Sequence, residues 1–94
     1  MAVHVKFVGS FRGVTGKDTM ILRCKGSVSM KTIVEKIVEK LPNIRSSMFD
    51  PFSGEPRKNM LVLVNGREIG VLDGLETVVG DGDEVVFIPV IHGG

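Results

Sequence analysis

The apolar positions change their spacing along the chain, and each change marks a different element. Val3, Val5 and Phe7 alternate with His4 and Lys6. Period two with β-branched and aromatic members predicts a strand with one buried face. Glycines at 9, 13 and 16, together with Ser10, Thr15 and Asp18, punctuate the next stretch, which reads as a loop. A second strand is expected over residues 19–25, with Met20, Leu22 and Cys24 on one side and Ile21, Arg23 and Lys25 on the other. The spacing then becomes helical. Met30, Ile33, Val34, Ile37, Val38 and Leu41 fall at i, i+3, i+4, i+7, i+8 and i+11, opposite Lys31, Glu35, Lys36, Glu39 and Lys40. Ser29 can cap this helix, because its hydroxyl accepts from an unpaired first-turn N–H. Pro42 ends it by restricting Leu41 and supplying no donor.

Residues 42–59 carry Pro42, Pro51 and Pro56 among polar neighbours and read as a long loop, pinned by Met48, Phe49 and Phe52. The apolar run 60–64 leads into Asn65-Gly66 and Arg67-Glu68-Ile69, a hairpin signal because both turn residues tolerate positive φ. Residues 70–80 should be irregular, with a short helical turn. Asp81-Gly82-Asp83 turns the chain into the apolar strand 84–88, expected at the centre of a sheet. Pro89 stops that strand. A single amphipathic helix needs a sheet face to bury its stripe, so the class is α+β in two layers.

Composition narrows the function classes. A chain of 94 residues forms one domain and buries roughly 60–65% of its unfolded surface, which leaves little room for an internal active site. Twelve Lys+Arg stand against eleven Asp+Glu, so there is no basic excess of the kind that contacts nucleic acid directly. Cys24 is the single cysteine, so an intrachain disulfide and a Cys-pair metal site are excluded. On the apolar side of its strand it reads as a small buried side chain. His4 and His92 lack partners at ligand spacing, and no metal is expected. No apolar run approaches the ~18 residues of a membrane span, and no basic-then-apolar leader opens the chain. The expectation is a cytoplasmic protein without membrane contact. Gly16-Lys17 fails as a phosphate loop, because position 11 is Phe and position 18 is Asp. Asp81, Asp83 and Glu84 read as solvated turn acids rather than a cation loop. No catalytic constellation remains, which favours a carrier over an enzyme.

Residues 81–94, DGDEVVFIPVIHGG, are the most specific stretch. With the element order before them they resemble the β-grasp ubiquitin-like family of sulfur carriers and modifiers: the molybdopterin synthase small subunit, archaeal small modifier proteins, and the ubiquitin-related modifier of tRNA thiolation. His92 before the glycines is closer to the last of these, and Phe87-Ile88-Pro89 to the first. The resemblance implies a β-grasp domain over 1–89, a mixed four- to five-stranded sheet on one main helix, followed by a flexible tail over 90–94. It implies that a ubiquitin-activating-type enzyme, using its own ATP and Mg²⁺, adenylates Gly94, with no cofactor bound by this chain. The product would be a thiocarboxylate that donates sulfur for tRNA thiolation or molybdopterin synthesis, through a sulfur-acceptor enzyme or the molybdopterin synthase large subunit. The alternatives are attachment through Gly94 to lysines of target proteins, or a non-covalent interaction module. Gly93 and His92 would be the threaded residues, since glycine lets a narrow channel close on backbone with no Cβ in the way. Ile21, Val62, Val64, Val86 and Ile88 are the candidate partner surface, from strands whose two faces are both apolar. Arg67 and Arg12 are its candidate charged rim.

Overall fold

The structure, a computed structural model, describes residues 1–90. Strand β1 (Ala2–Phe7) buries Val3, Val5 and Phe7 and exposes His4 and Lys6, as the alternation requires. The glycine-punctuated stretch after it is a short helix, α1 (Ser10–Thr15), where a loop was expected. Phe11 anchors it in the core. Gly9 (φ 61°) opens it and Gly16 (φ 72°) closes it in the left-handed conformation, donating its N–H to the Arg12 carbonyl. Its outer glycines are therefore helix boundaries.

Strand β2 (Thr19–Arg23) pairs antiparallel with β1, and Leu22 and Cys24 are buried. A two-residue strand, β3 (Val28–Ser29), leads into α2 (Met30–Lys40). Ser29 caps α2 by accepting from the Thr32 N–H at 3.2 Å. Met30, Ile33, Val34 and Ile37 of the expected stripe are buried, while Val38 and Leu41 pack at its margin. The stretch 42–59 is more ordered than a loop. Pro42 begins a 3₁₀ turn, then comes α3 (Arg45–Met48), and a bridge joins Phe49 to Pro56. Ile44 and Met48 are fully buried and Phe49 half-buried, but Phe52 is 98% exposed and pins nothing. Instead Asp50 holds this turn, its carboxylate accepting from the Phe52 and Ser53 N–H groups. Those bonds, Ser53 first, keep the carboxyl below its ordinary value of 3.8.

Strands β4 (Met60–Val64) and β5 (Arg67–Glu68) form the hairpin that Asn65-Gly66 announces, with φ 50° and 83° at the two turn residues. The Asn65 amide also bonds the Glu84 N–H and the Asp83 carboxylate. Two 3₁₀ turns and β6 (Val78–Val79), paired with β3, fill 69–79. The last strand is β7 (Glu84–Pro89). Among the described residues five strands form one mixed sheet in the order β2-β1-β7-β4-β5, with β1 and β7 parallel. The apolar strand is central, as its lack of polar interruption predicts. Its buried set, Val85 and Phe87, meets α2 together with Val3, Val5, Leu22 and Val62. This is an α+β β-grasp arrangement.

Two glycines separate a conformational requirement from mere tolerance. Gly66→Ala places a Cβ at φ 83° and is expected to destabilise the domain by roughly 1–2 kcal/mol. Gly13→Ala in α1 meets nothing within 4 Å and has no positive φ, so it should stabilise by about 0.5 kcal/mol. Urea unfolding of both variants checks the pair; equal effects would contradict the turn assignment.

Candidate functional site

Strand β7 is held on both sides along its length, and that decides where the chain leaves the sheet. The Phe87 carbonyl accepts from the Val8 N–H at 3.0 Å, Pro89 pairs with Met60, and the Val90 N–H donates to the Asn59 carbonyl at 2.8 Å. A Cβ at Gly9 would lie 3.0 Å from the Pro89 ring. Pro89 therefore does not free the chain. Val90 belongs with the domain, one residue beyond the expected boundary. His92, Gly93 and Gly94 lie outside the described residues.

Beside this end lies the face of the sheet that α2 does not cover. Cross-strand partners share a face, and the register sets Leu61 opposite Ile88 and Leu63 opposite Val86, with Lys6 opposite Val86 on the other side. Leu63, Val86 and Ile88 are half-buried and Leu61 is exposed. Lys6 and Glu84 form an ion pair at 3.0 Å at the margin of these apolar side chains. Ile21 continues the face at the outer strand and is 53% exposed.

Of the expected surface residues, Ile21, Val86 and Ile88 are on this face. Val62 and Val64 are not: at 4% and 6% exposure they point into the core, and Leu61 and Leu63 take their place. All five residues of β4 are apolar, so no polar member sets the phase of the alternation, and a one-residue slip exchanges the faces. Nothing in 60–64 marks the choice. Glu84 does mark it in β7, where Val86 and Ile88 share its parity. Arg67 is also displaced. It is exposed, but as the register partner of Val64 it belongs to the helix side, and Glu68 shares the open face with Leu63. Arg12 is engaged locally with Asp18 at 2.6 Å.

The turn acids are structural, and not merely solvated. Asp81 accepts from the Ala2 N–H and Asp83 from the Gly80 N–H and the Asn65 amide. Among the described residues no group of His, Cys, Asp and Glu is arranged to hold a metal. No helix among them is long and apolar enough to cross a membrane.

The open face and the core face of β4 should respond oppositely to a charge. Leu63→Asp is expected to lower stability by no more than about 1 kcal/mol while weakening a partner on this face at least tenfold. Val62→Asp, which buries the carboxylate, should unfold much of the population. Circular dichroism and a binding assay on both variants decide it; folded Val62→Asp beside unfolded Leu63→Asp would invert the faces.

Comparison with known proteins adds four findings. A sequence model of the family described as Urm1 (ubiquitin related modifier) matches residues 2–94. The small archaeal modifier protein 3 of Haloferax volcanii is 28% identical over 94 residues, covering 100% of both chains. A putative sulfur carrier protein of Archaeoglobus fulgidus is 44% identical over 41 residues, 44% of this chain and 47% of its own. In fold, the crystal structure of SAMP1 from Haloferax volcanii superposes with a TM-score of 0.88 at 23% identity, covering 100% of both chains.

Proposed function

The chain belongs to the Urm1 (ubiquitin related modifier) family, and on that premise we propose that it is a ubiquitin-like sulfur carrier that reacts through the carboxylate of Gly94. The observation that carries this reading is the anchored end of β7. The bond from Val90 to Asn59 delivers the four residues 91–94 from a fixed point beside an exposed apolar face. Four residues reach at most ~13–14 Å, so an activating enzyme must seat this domain close to its nucleotide. The face of Leu61, Leu63, Val86 and Ile88 is the surface for that seat.

The chemistry starts from a poor electrophile. The Gly94 carboxylate attacks the α-phosphorus of ATP in the partner, pyrophosphate leaves, and an acyl-adenylate forms. A persulfide on the partner then displaces AMP, and cleavage of the acyl disulfide by a thiol leaves the thiocarboxylate. ATP and Mg²⁺ belong to the enzyme. The recipient is a sulfur-acceptor enzyme of tRNA thiolation, or a molybdopterin synthase large subunit. A second reading, attachment to target lysines, is favoured by the likeness to an archaeal modifier protein and shares the activation step.

Incubation with the adenylating enzyme of the same organism, ATP and Mg²⁺ tests the reading through pyrophosphate release. Intact mass spectrometry then separates the outcomes. Exchange of one oxygen for sulfur marks a carrier, and branched lysine peptides mark a modifier. Failure to release pyrophosphate with each genomic candidate would sink both.

A further inference from the structure

Strand β2 is an outer strand, and its free edge follows from the pairing. Phe7 donates to the Asp18 carbonyl and Cys24 donates to the Met1 carbonyl. In an antiparallel pair the bonded residues alternate, so Asp18, Met20, Leu22 and Cys24 are bonded inward. Thr19, Ile21 and Arg23 then turn their N–H and C=O groups outward, where no strand lies among the described residues. Alongside this edge, toward α2, runs a shallow cleft of about 540 Å³ lined by Arg23, Cys24, Lys25, Val28 and Lys36. It carries three cations and no acid. No ion pair among the described residues engages any of the three. The acid at the start of the strand, Asp18, is already paired with Arg12.

We propose that this edge is a second docking site, which takes an extended segment of a partner protein as a sixth strand, apolar opposite Ile21 and acidic beside Arg23, Lys25 and Lys36. Backbone pairing to Thr19, Ile21 and Arg23 supplies the affinity and the charge selects the partner. A second copy of this chain fits poorly. Antiparallel self-pairing about Ile21 sets Lys25 against Lys17 of the other copy at each end, and like charges directly opposite destabilise a pair. The cationic end of β2 also lies at the end of the sheet away from Pro89, since β1 is parallel to β7 and antiparallel to β2. A strand bound there leaves the exit of β7 free, so the two sites can be occupied together.

The probe is a synthetic peptide of four β-branched apolar residues with three aspartates, made with the acids at either end and in scrambled order. Hydrogen exchange by NMR on the full chain reads the parity directly. The amides of Thr19, Ile21 and Arg23 should slow at least tenfold on binding, while those of Met20 and Leu22 change little. Ile21→Pro removes one outward donor at an edge position that tolerates proline, and should abolish binding. Because that variant can also perturb the strand, the triple reversal R23E/K25E/K36E, at exposed or half-exposed positions, is the second arm. It should weaken binding at least tenfold at low salt. The proposal is overturned by shifts confined to Leu61, Leu63, Val86 and Ile88, by dimerisation in place of peptide binding, or by equal affinity for the scrambled peptide. It is also overturned if the charge reversal leaves affinity unchanged.

Discussion

Deleting Gly94 is expected to reduce pyrophosphate release by the activating enzyme at least a thousandfold while leaving the domain folded. The deletion moves the carboxylate back by about 3.3–3.6 Å, one extended residue. Misplacement by 1 Å at a reacting centre can already lower a rate by about a hundredfold. The domain cannot compensate by shifting outward, because Val90 is tied to Asn59 and Pro89 to Met60 in the middle of the sheet. Gly94→Ala should lose less, since it keeps the carboxylate in place and adds only a Cβ to the channel. Unfolding in urea serves as the control, and the midpoint should not move. Activation of the deletion variant within about twofold of the full chain would remove Gly94 from the mechanism.

Phe87→Ala should produce the largest loss of stability. Phe87 is fully buried in the central strand and stacks on Phe7 with ring centroids 6.0 Å apart. Truncating a buried Phe lowers stability by about 3–5 kcal/mol, against a total of about 5–15 kcal/mol for a domain. With a slope of about 1–3 kcal/mol/M in urea, the midpoint should fall by roughly 2 M. The neighbouring Ile88→Ala trims the open face and should lower stability by about 1 kcal/mol, since that side chain is only half-buried. A loss below 1 kcal/mol for Phe87→Ala would mean that β7 is not the centre of the core.

The contrast between Phe87 and Ile88 depends on knowing which face of a strand is buried, and the residues reveal that unevenly. Local periodicity was decisive wherever polar positions interrupted the apolar ones. His4 and Lys6 phase β1, and the charged positions 31, 35, 36, 39 and 40 phase α2, so the residues expected inside are buried or packed against the margin of the core. Asn65-Gly66 announced its turn because few residue pairs accept two consecutive positive φ values. In β4, by contrast, the sequence is apolar throughout, and nothing local shows that Val62 and Val64 face the core and not the partner surface expected of them.

The class, the order of the main elements, the cap at Ser29 and the centrality of β7 are legible in the residues alone. Those follow from periodicity, turn chemistry and the lack of polar residues in 85–88, which act over a few neighbours. The phase of β4, the helix between Gly9 and Gly16, the ordered segment behind Pro42 and the anchoring of Val90 emerge only once the chain is folded. Each of these rests on a partner distant in sequence. Leu61 has a face because Ile88 lies opposite it, and Val90 stays with the sheet because Asn59 accepts its N–H. Phe11, Ile44 and Met48 hold their short helices because the core they enter is assembled by strands elsewhere in the chain.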